Sequence, residues 1–120
     1  VGLTKFANSP VATISQESKK RVAIALALAT GPKVIFLDEP AAGINPGETD
    51  GLAELMKKIV ESGITVCTIE HKMQMIMGLA DNIMVLNHGA KIAQGTPEEI
   101  KNNPTVIEAY LGGESVAEVN

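Results

Sequence analysis

The segment VIFLDEPAAG, residues 34–43, places four apolar residues directly before two adjacent acids and a proline. An apolar run this short and uniform predicts a buried strand of the kind found in parallel sheets. Asp38 and Glu39 then stand at the carboxyl end of that strand. One acid there would be ordinary turn chemistry, but two neighbouring carboxylates repel each other. We therefore expect a positive charge close to them for at least part of the time.

The bulk composition predicts a packed domain rather than a disordered chain. The 120 residues are 45% hydrophobic and 20% charged, with a net charge of −4. That charge argues against a broad electrostatic surface for nucleic acid or anionic membrane. No apolar run approaches the roughly 18 residues of a membrane span. The single cysteine, Cys67, is expected in the core and cannot form an internal disulfide, which is typical of a reducing cytosol.

The first half of the chain alternates helix and strand. Ser15 is placed to cap a helix that Gly31-Pro32 ends, and the strand at 33–38 follows. Asn45 is placed to cap the next helix, in which Pro46 takes the first position. Apolar residues recur with helical spacing along that helix, at Leu52, Leu55, Met56, Ile59 and Val60. Gly63 ends it, and ITVCTIE, residues 64–70, predicts a second buried strand.

The second half predicts strands and short helices. In order, we expect a Met-rich helix at 72–80, a hairpin at 82–95 turning at Asn87-His88-Gly89, a helix capped by Thr96, a helix from Asn103-Pro104 through Tyr110, and a loose tail at 113–120. The methionines are expected to pack the helix rather than hold a metal. The fold class is therefore α/β, with a mostly parallel sheet, flanking helices, and a C-terminal hairpin followed by helices.

Acids and a histidine converge at one predicted edge of the sheet. Ligands collect at the carboxyl ends of strands in open parallel sheets. Asp38 and Glu39 follow one strand, and Glu70 and His71 follow the other. This set suits Mg²⁺-assisted attack of water on a phosphate. The alternative for each residue alone is structural: a turn or cap for the acids, and a cap or a satisfied polar group for His71.

Three stretches of the sequence resemble ABC-type ATPases. VIFLDEPAAGINP, residues 34–46, is similar to their Walker B strand and D-loop, and TVCTIEH, residues 65–71, to their switch-histidine strand. Residues 82–112 follow the C-terminal pattern of the ATP-binding subunits of branched-chain amino acid importers, including VIEAYLG. The resemblance covers residues 1 to about 112. It implies part of a P-loop NTPase domain that uses ATP and Mg²⁺.

The resemblance implies a role for each matching residue. Asp38 would bind Mg²⁺ through water, and Glu39 would be the general base. His71 would contact the γ-phosphate. Ser15 matches the serine of the signature sequence that meets the partner subunit's nucleotide. Asn45, where most relatives carry Asp, would lie in the D-loop at the dimer interface. Mg²⁺ would then be the positive charge that the adjacent acids require.

Two features depart from the family pattern. The chain has 11 glycines but no Gly-Lys pair, so the phosphate-binding motif GxxxxGK followed by Ser or Thr is absent. The signature segment reads ISQESKKR, residues 14–21. Gln16 stands where the family pattern has Tyr or Gly, and Glu17 stands where it has Gly. Two like charges about 5 Å apart cost roughly 3 kcal/mol at an effective dielectric near 20. We therefore expect Glu17 to disfavour a nearby phosphate unless Lys19, Lys20 or Arg21 offsets its charge. Leu26 also replaces an arginine usual in this helix.

The sequence thus predicts a truncated ATP-binding subunit of an ABC importer for branched-chain amino acids, inactive alone because the P-loop is absent. Permease subunits and a second ATP-binding subunit are the implied partners, and the implied location is cytoplasmic, at the inner face of the cell membrane. The expected parts are a signature-helix region at 1–32, a core from Walker B to the hairpin at 33–95, C-terminal helices at 96–112, and a flexible tail at 113–120.

Two alternatives for the function stay open. One is a non-enzymatic protein that pairs with intact ABC ATPase or permease subunits. The other is an unrelated α/β phosphatase using Asp38, which would need a second metal-binding acid cluster. In the family, the P-loop strand lies between the strands matching 64–69 and 82–87. We therefore expect the chain to self-associate at this vacant slot, or to close it by pairing the two strands directly.

Overall fold

The computed structural model describes residues 1–111 and divides the chain into two compact units. The first unit comprises Val1–His71, and the second begins at Lys72. The predicted tail at 113–120 lies outside the described residues. The division of the chain at 32/33 and 95/96 remains a prediction, since it concerns regions matched to the family rather than compact units.

The first unit contains two helices and two parallel strands. Its elements are two 3-10 turns at Thr4–Phe6 and Val11–Thr13, α1 at Gln16–Leu28, β1 at Val34–Asp38, α2 at Pro46–Glu61, and β2 at Thr65–Ile69. β1 and β2 pair in parallel, with Val34 opposite Thr65 and Asp38 opposite Ile69. The predicted order of helix, strand, helix and strand is therefore confirmed.

Local capping chemistry fixes where the two helices begin and where α2 ends. The Ser15 hydroxyl accepts a hydrogen bond from the Ser18 backbone N–H at 3.1 Å. The Asn45 side chain accepts from the Glu48 N–H at 3.2 Å, and Pro46 is the first helical residue. Both caps satisfy donors that have no partner within the helix. Gly63 follows α2 with a φ of 100°, which favours glycine.

The core of the first unit is built mainly on one face of α2. Its buried apolar residues are Ile24, Ile35, Ala41, Ile44, Leu52, Leu55, Met56 and Ile59. α2 packs on β2. This set matches the predicted amphipathic face of α2 except at Val60, which is 43% exposed.

The prediction that both strands are fully buried is wrong. Along β1, Ile35 is 4% exposed whereas Phe36 is 77% exposed. Cys67, expected in the core, is exposed on β2. The reason is that, within the described residues, β1 and β2 pair only with each other. Side chains alternate between the faces of a strand, so one face carries the core and the other remains open.

The second unit is a hairpin packed with short helices. Its elements are α3 at Met73–Leu79, β3 at Ile83–Asn87, β4 at Ala90–Gly95, α4 at Pro97–Lys101, and α5 at Pro104–Val106, followed by a π-helical turn at Ile107–Leu111. Its core comprises Ile76, Ile83, Val85, Ile100 and Val106.

The hairpin turn lies at the predicted residues. His88 and Gly89 have φ angles of 49° and 81°, which is the pair of positive values that a tight two-residue turn between antiparallel strands requires. Thr96 and Glu99 form a capping box at the start of α4. The Tyr110 hydroxyl donates to the Leu86 backbone carbonyl, which ties the last described turn to β3.

The predicted α/β class is confirmed, with one parallel and one antiparallel strand pair. The strands of residues 1–111 form two separate two-stranded sheets, β1 with β2 and β3 with β4. Direct pairing of 64–69 with 82–87, the alternative way of closing the slot, is not among these strand pairs. None of the helices within residues 1–111 is both long and apolar enough to cross a membrane.

Candidate functional site

The register of β1 and β2 brings the two acidic segments together. Asp38 lies opposite Ile69, so the residues after each strand meet at the same sheet edge. The Glu39 backbone N–H donates to the Ile69 carbonyl at 2.8 Å, which extends the parallel ladder by one bond. Sequence reasoning placed this edge correctly because the carboxyl ends of neighbouring parallel strands coincide.

Glu39 and His71 are in direct contact across this edge. The His71 Nδ1 lies 3.4 Å from the Glu39 Oε1. Both side chains are exposed, so the contact contributes little to stability even when the imidazole is protonated. Its importance is geometric, because it places a carboxylate beside an imidazole where solvent and a ligand can reach both.

Glu39 also has an unusual backbone conformation. Its φ of 45° lies in the left-handed region, which non-glycine residues rarely occupy. Such a conformation costs about 1–2 kcal/mol. Strained residues of this kind concentrate at functional sites, where the surrounding structure holds them in place.

Glu70 enters the site in a way that sequence reasoning missed. Its Oε1 accepts a hydrogen bond from the Ala41 backbone N–H at 2.8 Å. Its Oε2 is buried and has no hydrogen-bond partner within the described residues. The sequence placed Glu70 at this edge but assigned it no role. The signal in the sequence was an acid between a buried strand and a candidate catalytic histidine.

Asp38 offers one exposed carboxylate at the end of β1. Residues 1–111 contain no group of three or more His, Cys, Asp or Glu side chains that could hold a metal ion. A site formed by protein ligands alone therefore does not fit. Mg²⁺ normally keeps several waters and binds one or two carboxylates together with substrate phosphates. The single carboxylate of Asp38 fits an Mg²⁺ ion that binds together with a nucleotide.

The structure places Ser15 and Asn45 in local capping roles. Ser15 caps α1 and also donates to the Ser18 hydroxyl at 3.1 Å. Asn45 caps α2 through its side-chain oxygen. Both are exposed at the start of a helix, where backbone N–H groups favour anions. Neither capping contact involves Asp38, Glu39 or His71, so the contribution of Ser15 and Asn45 to a nucleotide site stays a prediction.

Glu17 is held by Arg21. The Arg21 Nε and Glu17 Oε1 form an ion pair, and the two side chains are 18% and 16% exposed. Arg21 also donates through Nη1 to the Val1 carbonyl at 3.0 Å. Gly51 of α2 leaves room for this pair, since a Cβ there would lie 3.2 Å from Arg21 Nη2. The charge of Glu17 is therefore offset by Arg21, one of the three cations that the sequence offered.

Two family models match separate parts of the chain. One, described as "ABC transporter", matches residues 1–42 and so includes Ser15, Asp38 and Glu39. The other, described as "Branched-chain amino acid ATP-binding cassette transporter", matches residues 90–116.

Curated relatives extend the similarity over most of the chain. The high-affinity branched-chain amino acid transport ATP-binding protein BraF of Pseudomonas aeruginosa is 49% identical over 113 residues, which are 93% of this chain and 44% of BraF. The corresponding protein LivG of Escherichia coli is 44% identical over the same shares of the two chains. This chain therefore spans a little under half the length of the curated relatives that it matches.

Solved structures show the same fold. A nucleotide-free ATP-binding cassette from an ABC transporter matches with a TM-score of 0.82 and 33% identity, over 90% of this chain and 44% of that one. The cbiO1 protein of Clostridium perfringens, part of the ABC transporter complex cbiONQ, matches with a TM-score of 0.74 and 36% identity, over 83% of this chain and 40% of that one. These matches confirm the predicted ABC ATPase fold.

Proposed function

We propose that this chain, which belongs to the ATP-binding family of ABC transporters, supplies the residues that hydrolyse ATP in a nucleotide site. It matches the C-terminal part of the family's branched-chain amino acid subunits. The family activity is ATP hydrolysis coupled to transport. The proposed cargo is a branched-chain amino acid, which the printed names of BraF and LivG support.

The observation that carries the proposal is the contact between Glu39 and His71 beside Asp38. Glu39 would take a proton from the attacking water, and His71 would donate a hydrogen bond to the γ-phosphate; their contact at 3.4 Å supports these roles. Asp38 would hold Mg²⁺ through water. Bound there, Mg²⁺ would neutralise charge that develops on the transferring phosphoryl group.

The 120 residues contain no Gly-Lys pair and hence no phosphate-binding loop of the GxxxxGK type. Such loops supply the backbone N–H groups that cradle the β- and γ-phosphates. The proposed activity therefore requires a phosphate-binding segment outside these residues. A second ATP-binding subunit would approach through Ser15 and Asn45, and permease subunits would place the assembly at the inner face of the membrane.

A second candidate function is association without catalysis, in which the chain pairs with an intact ATP-binding subunit. The observation that favours it is the exposed apolar face of β1 and β2, which carries Phe36, Cys67 and Ile69. Such a face is typical of an interaction surface. This candidate predicts binding to purified BraF with no dependence on Glu39 or His71.

The proposal is tested by adding a phosphate-binding segment to the chain. The part of BraF that precedes its match to this chain is fused to residue 1, and Mg²⁺-dependent phosphate release from ATP is measured. We expect turnover well above that of the same fusion with Glu39→Gln, and unchanged turnover with the control Glu61→Gln, since Glu61 is an exposed acid at the end of α2. Nucleotide binding without any hydrolysis above the Glu39→Gln fusion would overturn the proposal.

A further inference from the structure

Two hydrogen bonds anchor the segment after β1 to the end of β2. The first runs from the Glu39 N–H to the Ile69 carbonyl, and the second from the Ala41 N–H to the Glu70 Oε1, both at 2.8 Å. Pro40 stands between the two donors and has no N–H of its own. The Ala41 N–H is therefore the first backbone donor after Glu39 that can attach this segment to its neighbour.

The second bond is well placed to control the conformation of Glu39. Ala41 is fully buried, so its N–H depends on acceptors that the fold supplies. Glu39 sits between the two anchors with a φ of 45°. Its carbonyl also accepts from the Ala42 N–H at 3.0 Å, which closes a turn. Without the Glu70 anchor, only one of the two attachments to β2 would resist relaxation of Glu39 towards a common backbone conformation.

Glu70 and His71 are consecutive in the chain, and both make contacts that constrain Glu39. The Glu70 carboxylate holds the backbone just after Glu39, and His71 Nδ1 contacts the Glu39 side chain at 3.4 Å. Burial of the unpaired Glu70 Oε2 is unfavourable. An apolar side chain would avoid that cost but could not accept from the Ala41 N–H, which suggests that Glu70 is kept for the oxygen that holds this N–H.

We propose that Glu70 is a positioning residue, which fixes the backbone of Glu39 so that its carboxylate faces His71. The inference deepens the proposed function, because it rests on Glu39 as the base. The hydrogen-bond coupling itself needs no nucleotide. It is therefore measurable on the chain as it exists, whether or not ATP hydrolysis is found.

Two substitutions of Glu70 distinguish the effect of its side-chain length from the effect of its charge. Glu70→Asp keeps the charge but shortens the side chain by one methylene, so the carboxylate no longer reaches the Ala41 N–H. Glu70→Gln loses the charge but keeps an acceptor oxygen at the same reach. The matched control is Glu61→Asp, which makes the same change at an exposed site in α2.

Two measurements by NMR decide the question. In Glu70→Asp, we expect hydrogen exchange of the Ala41 amide to accelerate at least tenfold, whereas Glu70→Gln and Glu61→Asp stay within about threefold of wild type. The second measurement is the change that Glu39→Gln causes in the His71 ring resonances at one fixed pH. This change should fall by at least half in the Glu70→Asp background and recover in the Glu70→Gln background.

Each alternative outcome overturns the proposal. Unchanged Ala41 exchange in Glu70→Asp would mean that the hydrogen bond does not hold the segment. Faster exchange with an undiminished response of His71 to Glu39→Gln would mean that Glu70 stabilises the turn without positioning Glu39. If Glu70→Gln restored neither signal, the length of the Glu70 side chain would not be what positions Glu39. An inactive fusion protein would leave both measurements valid, so failure of the proposed function can be distinguished from failure of this proposal.

Discussion

The Nδ1 of His71 lies 3.4 Å from the Oε1 of Glu39, across the carboxyl ends of β1 and β2. The parallel register, with Asp38 opposite Ile69, produces this contact. A carboxylate and an imidazole placed together at such an edge form a pair that can move a proton near a phosphate. The pair is exposed, so its loss should affect chemistry far more than folding.

Glu39→Gln should abolish turnover while keeping nucleotide binding. In the fusion that carries a phosphate-binding segment, removal of the base should lower the rate of phosphate release by at least about 10²-fold. ATP affinity measured by calorimetry should stay within about threefold, because Asp38, the proposed metal ligand, is unchanged. Near-normal turnover would mean that Glu39 serves only as a turn residue.

His71→Asn should also lower turnover of the fusion by about tenfold or more, because the imidazole that contacts Glu39 is lost. The chain offers a matched control in its other histidine, His88, which lies in the hairpin turn with a φ of 49°. Asparagine tolerates that backbone conformation, so His88→Asn should leave the rate of phosphate release unchanged. Equal losses in the two variants would show that the effect is not specific to the site.

Ile100→Ala should destabilise the second unit by about 2–5 kcal/mol, because it leaves a cavity in a packed core. Ile100 is 1% exposed, whereas Ile107 is 40% exposed and provides the same substitution as a control. Urea unfolding can be followed by fluorescence of Tyr110, the chain's only tyrosine, which lies in this unit. Similar unfolding midpoints for Ile100→Ala and Ile107→Ala would contradict the described core.

The chain should self-associate through the exposed face of β1 and β2. Phe36 is 77% exposed at its centre, and an open apolar strand face is an association hazard. Light scattering at micromolar concentration should give a mass above that of the monomer, and Phe36→Ser should lower it. Leu26→Ser is the control, since Leu26 is 70% exposed on α1. A monomeric mass for the unsubstituted chain would rule out this association.

Local features were predictable from the sequence because their physics is local. The caps at Ser15, Asn45 and Thr96 each depend on a side chain and an N–H three residues away. The turn at His88 and Gly89 likewise follows from its own residues. The edge where Glu39 meets His71 was predictable from a more general rule, the alignment of carboxyl ends in parallel sheets.

Features that depend on the rest of the fold were not predictable. Phe36 and Cys67 are apolar and lie in strands, but their exposure depends on what covers the sheet. The bond from Ala41 to Glu70 depends on the exact register of β1 against β2. The ion pair of Glu17 with Arg21 follows helical spacing, yet only the structure shows both side chains folded against α2 near Gly51.

The central claim is that this chain supplies the hydrolytic residues of an ATP site and that another segment supplies the phosphate-binding loop. Titration calorimetry with Mg-ATP tests this claim most directly. The chain alone should show no binding tighter than a Kd of about 100 μM, because its sequence contains no phosphate-binding loop of the GxxxxGK type. The fusion with the phosphate-binding segment should bind at least tenfold more tightly than that limit. A Kd below about 100 μM for the chain alone, or a fusion that binds no better than the chain, would contradict the account.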